Sequence, residues 1–148
     1  MPNQFQTVGS PTEVAGSLRV ALLRMARRLK RETDGEHSVS AIAALGSLSS
    51  RGPLTLSEWA ETEGVSRPSM TVLAGGLIGQ NLIAKEADPR DGRLVRVHIT
   101  QAGRRILEQS RTRRNAFLAK RLRGLSGDEL HVLEEASRIL LRLVEEGS

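Results

Sequence analysis

Residues 55 to 99 constrain the fold more than any other stretch of this chain. Thr55-Leu56-Ser57-Glu58 is a capping box: the threonine hydroxyl accepts one free helix amide and the glutamate carboxylate another. The short helix it opens, through Trp59-Ala60-Glu61, is broken at Gly64-Val65, and Ser66 offers a second N-cap for a helix reaching about Asn81. Two short helices across a tight glycine-containing turn make a helix-turn-helix, whose second helix is shaped to enter a major groove. Residues 82–86 and 94–99 then read as strands, the second alternating apolar with polar as a half-buried strand does. Between them lies Asp88-Pro89-Arg90-Asp91-Gly92-Arg93, so the pair reads as a hairpin with a charged tip. Helix, turn, helix, hairpin is a winged helix.

The flanks are helical. Residues 1 to 9 are polar and read as a loosely ordered lead. Ser10-Pro11-Thr12-Glu13 combines an N-cap, an N1 proline and an N3 glutamate, and the helix it starts should close at Asp34-Gly35. Its Val14, Leu18, Leu22, Met25 and Leu29 form one apolar stripe, while Arg24, Arg27, Arg28, Lys30 and Arg31 read as a solvated face. A second helix, about 40–50, turns Ile42, Leu45 and Leu48 inward and ends at Arg51-Gly52-Pro53. After the hairpin a long helix runs from Thr100 to about Arg123. Ser126 with Glu129 caps a last helix striped by Leu130, Leu133, Ala136, Leu140, Leu143 and Val144.

The expected fold is therefore mainly α with a small β hairpin. A winged helix-turn-helix lobe at 53–100 sits inside a single domain, 1–148, between dimerisation helices at 10–34 and 101–148. One lobe gives those flanking stripes little to cover, so a second copy of the chain should cover them. The alternative is a monomer with the helices folded over its own core.

Charge points outward in the same direction. The 148 residues carry a formal net charge of +5, which favours an anionic partner. Nearly all the cations are arginine, which can fork onto phosphate or a guanine edge; a GC-rich genome would also enrich it. The absence of cysteine excludes disulfides, thiolate metal sites and thiol redox sensing. No apolar run approaches the roughly 18 residues of a membrane span, and no signal peptide opens the chain, so a cytoplasmic protein is expected. His37, His98 and His131 lack metal-ligand spacing. Gly75-Gly76-Leu77-Ile78-Gly79 follows no strand and is no phosphate loop, and no serine has a nucleophile-elbow context. An enzyme, a metal site and a cofactor are all disfavoured, and Trp59 reads as core.

Four segments resemble the multiple antibiotic resistance regulator (MarR) family of bacterial transcription factors: residues 52–58, 66–71, 88–93 and Ile99-Thr100-Gln101-Ala102-Gly103. The resemblance spans about Leu18 to Val144. It implies a homodimer that binds pseudo-palindromic promoter double-stranded DNA, usually as a repressor, often released by a small phenolic or lipophilic effector. It also implies site roles. Arg93 matches the wing arginine that enters the minor groove and Asp91 the residue that orients it. Thr55, Ser66, Arg67, Ser69 and Thr71 match positions around the recognition helix, and Arg90 lies on the wing tip. Two departures stand out: Asn81 stands where glycine usually ends the helix, and Lys85-Glu86 where a basic pair usually offers phosphate contacts. With aromatics at 2%, an effector pocket would be walled by aliphatics such as Leu22, Met25 and Leu48.

A helical wheel adds one oddity. With Met70, Leu73 and Leu77 inward, the opposite face carries Pro68, Val72, Gly75 and Gly79. Either this face approaches DNA closely and touches thymine methyls, or the glycines only allow tight packing within the protein. A winged helix used for protein contacts is the alternative function, and the arginine-bearing tip speaks against it.

Overall fold

The computed structural model describes residues 9–32 and 37–146. Its elements run α1 (Pro11–Arg31), α2 (Val39–Arg51), β1 (Leu54–Thr55), α3 (Leu56–Glu63), α4 (Arg67–Gly79), β2 (Ile83–Ala87), β3 (Val95–Ile99), α5 (Gln101–Leu122) and α6 (Gly127–Glu145). Ser10, Thr55 and Ser126 each close a reciprocal capping box with the glutamate three residues on. The Asp34-Gly35 stop expected after α1 lies outside the described residues, as does most of the 1–9 lead.

The expected hairpin is part of a three-stranded antiparallel sheet in the order β1-β3-β2. Its third strand, β1, is only two residues long and pairs Leu54 with Val97 and Thr55 with Arg96. Two residues cannot show an alternation, so no periodicity announces this strand. It matters because it fastens the start of α3 to the strand that carries the wing.

The chain divides into two compact units, one reaching Arg114 and one beginning at Asn115. In the first, α2, α3, α4 and the sheet enclose a core of Leu45, Leu48, Trp59, Met70, Leu77, Ile83, Val97 and Ile99. Ile42, Leu45 and Leu48 are buried as expected, and so is Trp59. The indole Nε1 donates to the Ala44 carbonyl (3.2 Å) and to Ser47 Oγ (3.1 Å), so burying its polar atom leaves nothing unpaired. That contact docks α3 on α2.

The exit from α4 is equally specific. Asn81 takes φ 57°, the left-handed conformation glycine usually supplies. Its amide reaches the Ile78 carbonyl, and the Leu82 amide reaches Leu77, which is a Schellman end. Thr100 then ties this corner to α5: its amide donates to the Leu82 carbonyl (3.0 Å) and its hydroxyl to the Asn81 carbonyl (2.7 Å). The same hydroxyl accepts from the Gly103 amide (3.1 Å). Gly103 is buried where a Cβ would lie 2.2 Å from the Leu82 carbonyl oxygen and 2.7 Å from Ile99 Cγ1. Only glycine lets α5 start this close to the sheet.

The terminal helices have a different character. No described residue of α1 is buried, and Val14, Leu22, Leu23 and Met25 are 43–55% exposed. In the second unit no residue of α6 is buried either; Val132, Leu141, Leu143 and Val144 are 57–70% exposed.

Candidate nucleic-acid interface

The turn between α3 and α4 is built for sharpness. Gly64 sits at φ 65°, and the Val65 amide returns to the Ala60 carbonyl. Ser66 then caps α4, its Oγ accepting from the Ser69 amide (3.3 Å) and meeting Ser69 Oγ at 2.8 Å. Met70, Ala74 and Leu77 face the core and Leu73 is half-buried. The opposite face is open: Arg67, Pro68, Ser69, Thr71, Val72, Gly75 and Gly79 are all exposed, Val72 at 78%.

Several polar groups of that face are already engaged inside the protein. The Thr71 hydroxyl donates back to the Arg67 carbonyl (2.9 Å), and Arg67 Nη1 donates to Ser57 Oγ on α3 (2.9 Å). Arg67 is thereby aimed rather than loose, with other guanidinium hydrogens left for a ligand. The two readings of the glycines can be separated. Among the described residues a Cβ at Gly75, Gly76 or Gly79 would meet nothing within 4 Å, so tight packing against those residues does not account for them.

The wing is held by two aspartates with different partners. Asp91 Oδ1 accepts from the Arg93 amide (3.1 Å) and from Arg93 Nε (3.2 Å), while the Arg93 side chain stands 92% exposed. A charge held at the tip of a hairpin yet open to solvent is suited to a ligand outside the protein. Asp88 is buried, and its Oδ1 accepts the amides of Arg90 (2.7 Å) and Asp91 (3.1 Å), folding the tip back on itself. Its other oxygen accepts from Arg96 Nε. That hydrogen bond, then the Arg90 amide, holds the Asp88 carboxyl below the ordinary aspartate range. Glu58 is lowered too, first by the Thr55 amide and hydroxyl and then by Arg96. Both stay ionised in mildly acidic solution.

Between the start of α3, Arg67 and the sheet lies a groove of about 560 Å³. Its walls include Thr55, Ser57, Glu58, Arg67, Lys85, Arg93 and residues 94–97 of the wing strand. Lys85 is exposed there, whereas its neighbour Glu86 turns to His98, Oε2 to Nδ1 at 3.5 Å. The fold thus brings Thr55, Arg67, Lys85 and Arg93 to one groove. Thr55 serves it as the half-buried cap of α3, Arg90 is exposed on the adjoining tip, and Pro68, Thr71 and Val72 continue the surface along α4.

Two residues of this surface carry no signal in the sequence: Ser57, which anchors Arg67, and Arg96, which anchors Asp88. Arg96 was hidden among the polar positions of an alternating strand. The aliphatic residues expected to wall an effector pocket differ in burial: Leu48 is 1% exposed in the lobe core, whereas Leu22 and Met25 are exposed on α1. Among the described residues no group of three His, Asp or Glu is placed to hold a metal ion. No described helix is long and apolar enough to cross a membrane.

The chain is similar to known proteins in sequence and fold. The MarR family model matches residues 37–95. An uncharacterized HTH-type transcriptional regulator of Mycobacterium leprae is 33% identical over 138 residues, 93% of this chain and 96% of that one. A crystal structure of a Pseudomonas aeruginosa protein, described as a transcriptional regulator, aligns with TM-score 0.80 and 28% identity, covering 90% of this chain and 94% of that one. An S. aureus MepR mutant bound to an oligodeoxyribonucleotide aligns with TM-score 0.66 at 17% identity, over 88% and 96% of the two chains. That last likeness carries the fold alone.

Proposed function

We propose that this chain, which belongs to the MarR family of transcriptional regulators and carries its DNA-binding helix-turn-helix, acts as a homodimeric repressor on pseudo-palindromic promoter DNA. The observation that carries the reading is the pairing of two surfaces. The outer face of α4 is unobstructed, and Arg93 is held out from the wing by Asp91 with its side chain 92% exposed. In this reading α4 enters the major groove and Arg93 the adjacent minor groove, where the negative potential deepens as the groove narrows. Thr55, Ser57, Arg67, Lys85 and Arg90 lie along the flanking phosphates.

Selecting duplexes from a random pool supplies the probe. On the selected duplex, Arg93→Ala weakens binding by roughly 1–3 kcal/mol per half-site, the range for one specific side-chain contact. The salt dependence becomes shallower, because a phosphate-neutralising charge is gone. Asp91→Ala acts in the same direction but more mildly, since it frees the guanidinium without deleting it. Arg28→Ala changes little: Arg28 lies on α1 and pairs with Glu32 at 3.6 Å. Isotherms at two salt concentrations decide the matter. A folded Arg93→Ala protein that binds like the parent while Arg28→Ala does not would move the DNA surface to α1.

The residues at 10–34 and 101–148 supply the dimer contacts in this reading. The stripes of α1 and α6 are apolar and open, a burden that a second copy removes by covering both. Leu143 is 57% exposed in the single chain, so a folded monomer tolerates a charge there. Leu143→Glu therefore halves the mass seen by light scattering at micromolar concentration while circular dichroism keeps the helix signal. A parent protein of monomeric mass across that range would refute the dimer. An effector that releases DNA binds the free form better than the bound form, since only differential affinity shifts a population.

A further inference from the structure

Arg96 joins parts of the lobe that are far apart in sequence. Its Nε donates to Asp88 at the base of the wing. Its Nη1 donates to Glu58 Oε2 (2.9 Å) in the capping box of α3 and to the Pro53 carbonyl (3.3 Å) ahead of β1. Asp88 in turn holds the amides of Arg90 and Asp91, and Asp91 holds Arg93. On the other side, Glu58 accepts the Thr55 amide (2.8 Å), and Ser57 beside it accepts from Arg67. Charge-assisted hydrogen bonds thus run from the wing tip through Arg96 to Glu58 in the cap of α3, and Ser57, the residue before Glu58 in the chain, holds Arg67, the first residue of α4. The guanidinium fork suits this place because one planar group serves several acceptors in fixed directions. A lysine offers a point charge and cannot hold both carboxylates in that geometry.

We infer that Arg96 is a positioning residue for DNA recognition: it fixes the wing to the helix-turn-helix so that Arg93 and α4 meet the duplex in one register. The inference rests on the DNA-binding reading above. Removing Arg96 should therefore loosen the tip and lower the benefit of Arg93 rather than only reduce stability.

The test is a double-mutant cycle on the selected duplex, using the full chain. Arg96→Gln alone weakens binding about tenfold, and Arg93→Ala loses most of its own effect in the Arg96→Gln background, the non-additivity of residues acting as one unit. Arg96→Lys, which keeps the charge, recovers the melting temperature more than the affinity. Hydrogen exchange on the free protein gives a readout independent of DNA: the Arg90 and Asp91 amides exchange faster in both variants while those of the α2–α4 core do not. Equal effects of Arg93→Ala in the parent and Arg96→Gln backgrounds would overturn the inference, as would unchanged exchange at Arg90 and Asp91. If exchange quickens as described but Arg93→Ala is silent in the parent, the wing reading has failed instead, and with it the role of Arg96 in recognition.

Discussion

Trp59→Ala should cost this protein about 3–5 kcal/mol of stability, the range for deleting a large buried aromatic. The indole is 0% exposed and fills the space where α3 meets α2. Its loss removes apolar contact and also strands the Ala44 carbonyl's indole hydrogen bond. Ser47 Oγ softens that second loss, because it donates to the same carbonyl at 2.9 Å. Trp59→Phe should therefore cost markedly less than alanine, about 1–3 kcal/mol, since most of the apolar volume survives. Urea unfolding followed by circular dichroism measures both. A loss within about 0.5 kcal/mol for alanine, the level of an ordinary surface substitution, would mean that α3 docks by other contacts.

Gly103→Ala should cost about 3 kcal/mol, the upper part of the overpacking range, from a single added methyl group. The clash at 2.2 Å is with a backbone carbonyl, which cannot rotate away as a side chain can. That carbonyl also accepts the Thr100 amide, so displacing it disturbs the junction from α4 through β2 to α5. The comparison that isolates the cause is Gly127→Ala, where an added Cβ meets no described residue within 4 Å. Thermal unfolding of the two variants should separate them widely. Equal midpoints would mean that α5 can slide off the sheet without penalty.

Much of this fold was legible because its helix starts are written in side chains. Ser10, Thr55, Ser66 and Ser126 cap helices where a hydroxyl stood before a suitable first turn. The strand pair was legible from alternation, and Asn81 from the chemistry that lets asparagine replace glycine at a left-handed position. β1 was not, because its two residues owe their strand geometry to β3 rather than to their own pattern. The site divides in the same way. The exposed wing arginine and its aspartate stand two residues apart and could be seen as a local pair. Arg96 bonds to residues 8 and 38 positions away, and Arg67 to one 10 positions away, and no local spacing encodes such partners. The glycines of α4 were ambiguous in sequence because one pattern serves either close internal packing or an open face, and only the empty space around them distinguishes the two.

The make-up of α4 also bears on whether this surface could be transplanted. Its thirteen residues include Gly75, Gly76 and Gly79, each costing about 1 kcal/mol of helix stability relative to alanine. Isolated helices this short are marginal in water even with the best formers. A peptide of residues 66–80 would therefore be largely unstructured. The segment is a helix because Met70, Ala74 and Leu77 have a core to enter. Whatever selectivity α4 possesses is a property of the assembled lobe, and it cannot be cut out and grafted as a portable reading head.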